Sequence, residues 1–244
     1  MDAYIHEAAL AGDTFLILFS GCNFQCRFCN TPHLVEFRTE ERMVLRDVKA
    51  LLSSSGATKA LFSGGEPLLQ RQALLDLATH AKQKGLTIIL ETNASKPETL
   101  KTLLDAGLLD EVVVDVKGAW PAFEKASRSG TFFQPAAEIY EDTQKCLALL
   151  RQHDGVTITF KTVITPGILY KKEDLLGIAQ LLRGFDAEWL LVPFDPTNTL
   201  DPTLKAVAPS TERFLENLAG FVKQQYPKLR VKVAESAVPS QEPS

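Results

Sequence analysis

Short apolar runs alternate with amphipathic segments along most of the chain, and this alternation restricts the fold more than any other feature. Because helical crossovers between strands go with parallel pairing, the pattern predicts right-handed βαβ units in an α/β domain. The pattern alone leaves an open sheet and a barrel as alternatives. We expect one domain over residues 1–235 and a disordered tail over 236–244. The predicted strands are 14–20, 59–63, 86–92, 111–117, 156–164, 188–194 and a short last strand in "LRVKV".

The predicted helices lie between these strands. Apolar periodicity places them near 40–54, 70–84, 138–153, 172–183 and 211–225. The segment Ser95–Glu98 predicts a capping box that opens one more helix, ending at Gly107.

Polar clusters that contain glycine or proline follow the predicted strands. In open sheets and in barrels alike, the reactive face lies at the carboxyl ends of the strands. The sequence therefore predicts a single site built from successive strand ends. The clusters are the cysteine loop after the first strand, "SGGEP" (63–67), "ETNAS" (91–95), "DVKG" (115–118), "TPG" (165–167) and "FDPTN" (194–198).

Composition narrows the classes of partner. The 244 residues carry a net charge of −4, which disfavours a nucleic-acid partner, since phosphate binding calls for a basic surface. There is no apolar run of 18 residues and no signal-peptide pattern at the start, so we expect a cytoplasmic protein without a membrane partner. Disulfides are rare in that compartment, and clustered cysteines there indicate metal binding or catalysis.

Three of the four cysteines fall within eight residues, as Cys22-x3-Cys26-x2-Cys29. One interpretation is a structural zinc site completed by His33, because structural zinc takes four ligands. The other is a [4Fe–4S] cluster, which normally has four thiolates and here would keep one iron open. The spacing alone leaves both open. The fourth cysteine, Cys146, lies on an apolar helix face and is predicted to be a core thiol.

The cysteine spacing, with Phe28 before the last cysteine and "GGEP" one βα unit later, resembles the radical S-adenosylmethionine (radical SAM) superfamily. The resemblance covers about residues 15–201 and implies a partial (β/α)6 barrel of the TIM type. It implies that the three cysteines bind three irons of a [4Fe–4S] cluster and that SAM chelates the fourth. Phe28 is then expected near the adenine. Polar groups of Gly64, Gly65 and Glu66 are expected at the methionine amino group.

Later motifs resemble one branch of the superfamily. "ETNAS", "DVKG", "KTVITPG" and "FDPTNTLDP" are similar to segments of glycyl-radical-enzyme activating enzymes, especially the activating protein of anaerobic ribonucleoside-triphosphate reductase. By this resemblance Thr92 and Lys117 contact the SAM carboxylate, and Lys161 is a weaker candidate for the same side. Glu91, where the branch usually has Asp, and Asp115 lie beside them, around a monovalent cation.

The resemblance implies an oxidoreductase reaction. Flavodoxin or ferredoxin reduces the cluster, SAM is cleaved to a 5′-deoxyadenosyl radical, and the radical abstracts the α-hydrogen of a glycine in a partner glycyl-radical enzyme. Asn30-Thr31 departs from the activators' usual His-Asn and resembles 7-carboxy-7-deazaguanine synthase, where Thr helps to bind Mg²⁺. That enzyme is the first alternative, and a non-catalytic zinc-binding Cys3His protein is the second.

The segment 118–135 is long for a βα connection and carries four large aromatic residues. One interpretation is that it borders the opening through which a partner's loop enters. The other is a short extra helix that packs its aromatic side chains onto the domain. The residues concerned are Trp120, Phe123, Phe132 and Phe133.

Overall fold

Strands and helices alternate through residues 2–234, which are the residues that the computed structural model describes. The predicted tail at 236–244 lies outside them. None of the described helices has the length and apolar character needed to cross a bilayer. The strands are β1 (Asp2–Ala11), β2 (Thr14–Phe19), β3 (Arg42–Val44), β4 (Lys59–Gly64), β5 (Thr87–Thr92), β6 (Glu111–Asp115), β7 (Thr157–Ile164), β8 (Glu188–Pro193) and β9 (Arg230–Val233). The helices are α1 (Leu45–Ser54), α2 (Arg71–Gln83), α3 (Pro97–Asp105), α4 (Ala122–Ser127), α5 (Ala136–Gln152), α6 (Lys172–Leu181) and α7 (Glu212–Gln225).

The six main predicted strands are confirmed as β2 and β4–β8, each within two residues of its expected ends. Their apolar runs are buried: Ile17 in β2, Phe62 in β4 and Ile88 in β5 are each 0% exposed. Burying apolar surface stabilises the folded state by about 25 cal/mol for each Å² removed from water. A continuous apolar run therefore favours a strand that is covered on both faces.

The predicted helix over 40–54 is wrong in its first part. Residues Arg42–Val44 form β3, which pairs antiparallel with residues 2–4 of β1, and helix α1 begins only at Leu45. Val44, the last residue of β3, is 40% exposed. Strand β1, which the sequence analysis did not predict, pairs antiparallel with β2 as well. Pairing with β1 therefore overrides the helical periodicity of this segment.

The capping box predicted at 95–98 is also wrong. Helix α3 begins at Pro97, with Lys96 at the cap position and no side-chain cap hydrogen bond. The Ser95 hydroxyl instead accepts a hydrogen bond from Nδ2 of Asn23, at 2.9 Å. The Ser95 hydroxyl therefore makes a tertiary contact instead of the helix cap that the local sequence predicted.

The described residues divide into two compact units. The first covers 2–25, 31–115 and 129–159, and its strands follow the order β3-β1-β2-β4-β5-β6. Strands β2, β4, β5 and β6 are parallel, so their carboxyl ends meet at one edge. The single domain expected over 1–235 stays a prediction.

The second unit covers 26–30, 116–128 and 160–234. Strands β8 and β9 pair in parallel, in register from Glu188 with Arg230 to Leu191 with Val233. Trp189 of β8 is 0% exposed, and its Nε1 donates to Oγ1 of Thr162 at 3.0 Å. The buried indole N–H is therefore satisfied inside this unit.

Candidate functional site

The loop after β4 supports the start of the cysteine loop in the first unit. The backbone N–H of Gly65 donates to the carbonyl of Phe19, and that of Glu66 to the carbonyl of Gly21, both at 2.8 Å. A Cβ at Gly64 would lie 2.3 Å from the Phe19 oxygen, and one at Gly65 would lie 2.3 Å from the Gly21 oxygen. Gly64 also has φ of +115°. Both positions need glycine because two backbones touch there.

Glu66 is a buried carboxylate that joins two strand ends. It is 0% exposed and accepts from the Thr92 hydroxyl at 2.7 Å and from the backbone N–H groups of Asn93 and Leu68 at 2.7 and 3.0 Å. Burial raises the pKa of Glu66 to about 7, and the hydrogen bond from Asn93 opposes that rise. Glu66 therefore fixes the loop after β5 against the loop after β4.

Cys22 lies at the start of its loop with N–H groups directed at its sulfur. The backbone N–H of Phe24 donates to Cys22 Sγ at 3.4 Å, and Nδ2 of Asn93 lies 3.9 Å from the same atom. The Cys22 backbone N–H donates to the carbonyl of Val35 at 2.8 Å. Sequence reasoning missed Asn93, although it stands in the "ETNAS" motif that was singled out.

The two carboxylates predicted beside the cation end neighbouring strands. Glu91 lies in β5 and Asp115 is the last residue of β6. The Ser63 hydroxyl donates to Oε2 of Glu91 at 2.6 Å. Thr92, predicted at the SAM carboxylate, is 3% exposed, and its hydroxyl is the one bound to Glu66.

The second unit holds the other two cysteines of the Cys-x3-Cys-x2-Cys motif. Cys26 is buried, with Sγ 3.8 Å from the carbonyl oxygen of Ser127. The Cys29 backbone N–H donates to the Cys26 carbonyl at 3.0 Å, which makes a tight turn. Between them Phe28 is 4% exposed, and Nζ of Lys117 lies 5.3 Å from the centre of its ring. The unit thus brings together Phe28 and Lys117, two residues predicted to bind SAM.

The "FDPTNTLDP" segment makes hydrogen bonds and an ion pair to the loop 26–30. Nε of Arg27 lies 2.7 Å from Oδ2 of Asp201, and the Asp201 backbone N–H donates to the Arg27 carbonyl at 3.0 Å. Nδ2 of Asn198 donates to the carbonyl of Asn30 at 2.8 Å. Hydrogen bonds from Thr203 and then from Arg27 lower the pKa of Asp201 to about 2. Neither Arg27 nor Asp201 was predicted to have a role, since two opposite charges 174 positions apart leave no local signal in the sequence.

The remaining candidate ligands lie elsewhere. His33 is exposed, and its ring centre lies 4.9 Å from that of His6. Cys146 is 0% exposed, and burial raises the pKa of its thiol well above the usual range. Within residues 2–234, no three His, Cys, Asp or Glu side chains form a preassembled metal site.

Residues 16–182 match the model of the radical SAM superfamily. The chain belongs to this superfamily. Membership implies a [4Fe–4S] cluster and S-adenosylmethionine as cofactors. The chemistry of the donor set fits such a cluster, because three thiols stand in one short segment of the sequence and N–H donors are directed at the sulfur of Cys22.

Curated relatives include a glycyl-radical enzyme activating enzyme and a 7-carboxy-7-deazaguanine synthase. The chain is 27% identical over 211 residues to a candidate glycyl-radical enzyme activating enzyme of Methanocaldococcus jannaschii, covering 86% of this chain and 84% of the relative. It is 26% identical over 185 residues to 7-carboxy-7-deazaguanine synthase of Archaeoglobus fulgidus, covering 72% and 73%.

A solved structure shows the fold. A radical SAM methyltransferase from Sphaerobacter thermophilus superposes with a TM-score of 0.65 at 14% identity, over 94% of this chain and 69% of that one. With the parallel strands of the first unit, this similarity confirms the predicted α/β class and is consistent with the partial barrel of the radical SAM type.

Proposed function

We propose that the protein activates a glycyl-radical enzyme of the anaerobic ribonucleotide reductase type. The observation that carries this proposal is the similarity to the candidate activating enzyme of M. jannaschii, which extends over 86% of the chain. The match to 7-carboxy-7-deazaguanine synthase extends over 72%. The "FDPTNTLDP" segment, which resembles the activators, adds support because it holds the cysteine loop through Asn198 and Asp201.

The chain's residues would bind, orient and shield the cofactors. Bound to the chain, the cluster and SAM would supply a 5′-deoxyadenosyl radical for abstraction of a glycine α-hydrogen, with flavodoxin or ferredoxin as the electron donor to the cluster. Lys117 supplies a positive charge for the SAM carboxylate, and the ring of Phe28 beside it gives an apolar face for adenine. We propose Cys22, Cys26 and Cys29 as cluster ligands. We propose Phe28, Gly64, Gly65, Glu66, Glu91, Thr92, Asp115 and Lys117 as the SAM-side residues, with a monovalent cation at Glu91 and Asp115.

The segment 118–135 supports binding of a polypeptide substrate. Phe123 is 1% exposed on the short helix α4, as the interpretation of an extra packed helix predicts, whereas Phe132 and Phe133 are 96% and 92% exposed and are accessible to a partner. The start of the segment also lines a cleft of about 380 Å³ in the second unit, in which Trp120 and Tyr170 take part. Exposed aromatic side chains of this kind are typical anchors of a protein interface.

The experiment that tests the proposal begins with anaerobic reconstitution. The loaded protein should be brown, with about four irons and four sulfides per chain. Dithionite and SAM should then yield 5′-deoxyadenosine, and added partner should show a glycyl-radical signal in electron paramagnetic resonance (EPR) spectra. A fully loaded protein that forms no 5′-deoxyadenosine would sink the catalytic proposal, and a colourless protein with one zinc would favour the zinc alternative.

The second candidate is a 7-carboxy-7-deazaguanine synthase activity. Thr31 and the similarity to the A. fulgidus enzyme favour it. The same loaded protein, given 6-carboxytetrahydropterin and Mg²⁺, separates the two functions. Conversion of this compound without a glycyl radical in any partner would replace the first proposal by the second.

A further inference from the structure

The side chain of Asn93 connects the loop after β5 to the first cysteine. Its Nδ2 lies 3.9 Å from Sγ of Cys22 and 3.1 Å from Oδ1 of Asn23, and the residue is 7% exposed. We propose that Asn93 is a positioning residue that holds the Cys22 thiolate and raises the reduction potential of the cluster. This inference rests on the proposed function, because it takes Cys22 as an iron ligand.

The network around Asn93 fixes which way its amide points. The backbone N–H of Ser95 lies 3.1 Å from Oδ1 of Asn93, and a backbone N–H can only donate. Oδ1 must therefore face Ser95, and Nδ2 must face the sulfur. Asn23 supports the same arrangement, since its own Nδ2 donates to the Ser95 hydroxyl at 2.9 Å and leaves its Oδ1 to accept from Asn93.

The backbone at Asn93 is also fixed by hydrogen bonds. Its N–H donates to the buried carboxylate of Glu66 at 2.7 Å, and the next N–H, of Ala94, donates to the Thr92 hydroxyl at 3.0 Å. Ala94 has φ of +54°, in the left-handed region that residues with a Cβ adopt rarely. Such a conformation persists where the surroundings hold it, and here it turns the chain immediately after Asn93.

Donors to a thiolate change the energy of adding an electron to the metal group that it binds. Hydrogen bonds to cluster sulfurs stabilise the more negative, reduced state and so make the potential more positive. Cys22 has two N–H groups directed at its sulfur, from the Phe24 backbone and from Asn93. The Asn93 donor belongs to a side chain, so a substitution removes it, together with its contact to Asn23, while every residue of the cysteine loop keeps its identity.

The test compares Asn93→Ala and Asn93→Asp with the wild type. Aspartate keeps the size of the side chain and the acceptor for Ser95 but replaces the donor near Cys22 with a negative charge. We expect a more negative cluster potential for Asn93→Ala and a still more negative one for Asn93→Asp. The midpoint is measured by anaerobic redox titration of the loaded protein, followed by EPR without SAM, so the result does not depend on catalysis.

Asn198→Ala is the matched control. Its amide also donates to the cysteine segment, but to the carbonyl of Asn30 at 2.8 Å rather than to a sulfur. Its potential should equal that of the wild type. Equal potentials in all the loaded proteins would overturn the inference and leave the proposed function standing, whereas a wild type that binds no iron would overturn both.

Loss of folding is a separate outcome. Circular dichroism of each cluster-free variant reports it. If Asn93→Ala does not fold, the cluster potentials of Asn93→Asp and Asn93→Ser are compared with that of the wild type instead. Loss of folding in all three variants, or folded variants that hold no iron while Asn198→Ala holds it, would assign Asn93 to assembly of the loop and overturn the tuning role.

Discussion

The four cysteines differ in environment, and this difference predicts the effect of removing each one. Cys22, Cys26 and Cys29 form the Cys-x3-Cys-x2-Cys spacing, whereas the Cys146 thiol stands apart from it and its pKa is raised by burial. Alanine at any of the first three should abolish 5′-deoxyadenosine formation and reduce bound iron. Cys146→Ala should lose at most about 1–2 kcal/mol of stability and keep its iron. Loss of the cluster in Cys146→Ala would contradict the ligand assignment.

Glu66 predicts a dependence of stability on pH. Its pKa is raised from 4.5 to about 7, so between these values the folded state binds the proton more tightly than the unfolded state. Its contribution is therefore complete below about pH 4.5 and is lost as the pH rises through about 7, by at most about 3 kcal/mol. Glu66→Gln cannot titrate, and the difference in free energy of unfolding from wild type should change over this range.

The measurement is urea unfolding of cluster-free protein at several pH values. Glu124→Gln is the control, because Glu124 is exposed on α4. A difference between wild type and Glu66→Gln that stays constant from pH 4.5 to 8 would show that the carboxylate does not titrate there.

At the level of single residues, the sequence predicted those that define motifs but not the residues that contact them. The cysteines and glycines have a fixed spacing that can be recognised in one chain. Asn93 and Asp201 act through contacts with Cys22 and Arg27, and nothing near either residue in the sequence indicates those contacts. Burial of Glu66 under three donors depends likewise on how two strand ends meet.

Among the elements, the short loop 26–30 depends on the segment that contains Asp201. Because its pKa is lowered to about 2, Asp201 stabilises the fold above about pH 3.8, and this contribution is lost as the pH falls toward 2. Asp201→Asn should therefore raise the pH of acid unfolding and release iron several-fold faster to a chelator. Asp186→Asn is the matched control, since Asp186 also pairs with an arginine, Arg230, but is 92% exposed.

Acid titration followed by circular dichroism, together with iron release at neutral pH, checks the prediction. Equal behaviour of Asp201→Asn and Asp186→Asn would mean that the Arg27 pair does not hold the cysteine segment.

The turn 131–134 presents Phe132 and Phe133 to solvent. The Thr131 N–H donates to the Gln134 carbonyl at 2.9 Å, and the two rings stack edge to face at 5.4 Å. Changing both to Ser should weaken activation of the partner at least about tenfold, because one buried Phe contributes about 1.5–3 kcal/mol. SAM cleavage without partner should stay within about twofold of wild type.

Phe214→Ser, on α7 and 37% exposed in the wild type, is the control for loss of an exposed ring. Glycyl-radical yield and 5′-deoxyadenosine are measured in parallel. If the double variant lost glycyl radical and 5′-deoxyadenosine equally, the two rings would contribute to the stability of the domain rather than to partner binding.

The sequence predicted most elements because their signal is local. Continuous apolar runs gave six strands, and helical periodicity gave the main helices. Strand β1 was missed because only Ala3 and Ile5 of its ten residues are buried, while His6 and Glu7 interrupt the apolar pattern. The start of α1 was wrong for the same reason, since β3 exists through its pairing with β1.

For the whole molecule, the cofactors should add stability as ligands of the folded state. A group that binds only the folded chain raises its free energy of unfolding by mass action. The loaded wild type should therefore melt at a higher temperature than the chelator-treated protein under argon. The Cys22→Ala variant should show a smaller difference, and no difference in the wild type would mean that its metal is held without the native fold.

Fold class was predictable at this scale, whereas the division into units was not. Alternating strands and helices indicate parallel βαβ units wherever they occur. The boundaries of the two compact units fall inside β7 and inside the cysteine motif, where no linker composition marks them.

An edge strand in each unit bears on how another polypeptide can pair with the chain. In the first unit β3 has three residues and exposes Arg42, and in the second unit β9 has four and exposes Arg230 and Lys232. Short, positively charged edge strands oppose the addition of a foreign strand. Recognition by backbone pairing, as in β-augmentation, is thus disfavoured at both edges. A partner's glycine loop would then be selected by its side chains and shape, so sequences that differ in strand propensity should be accepted equally well.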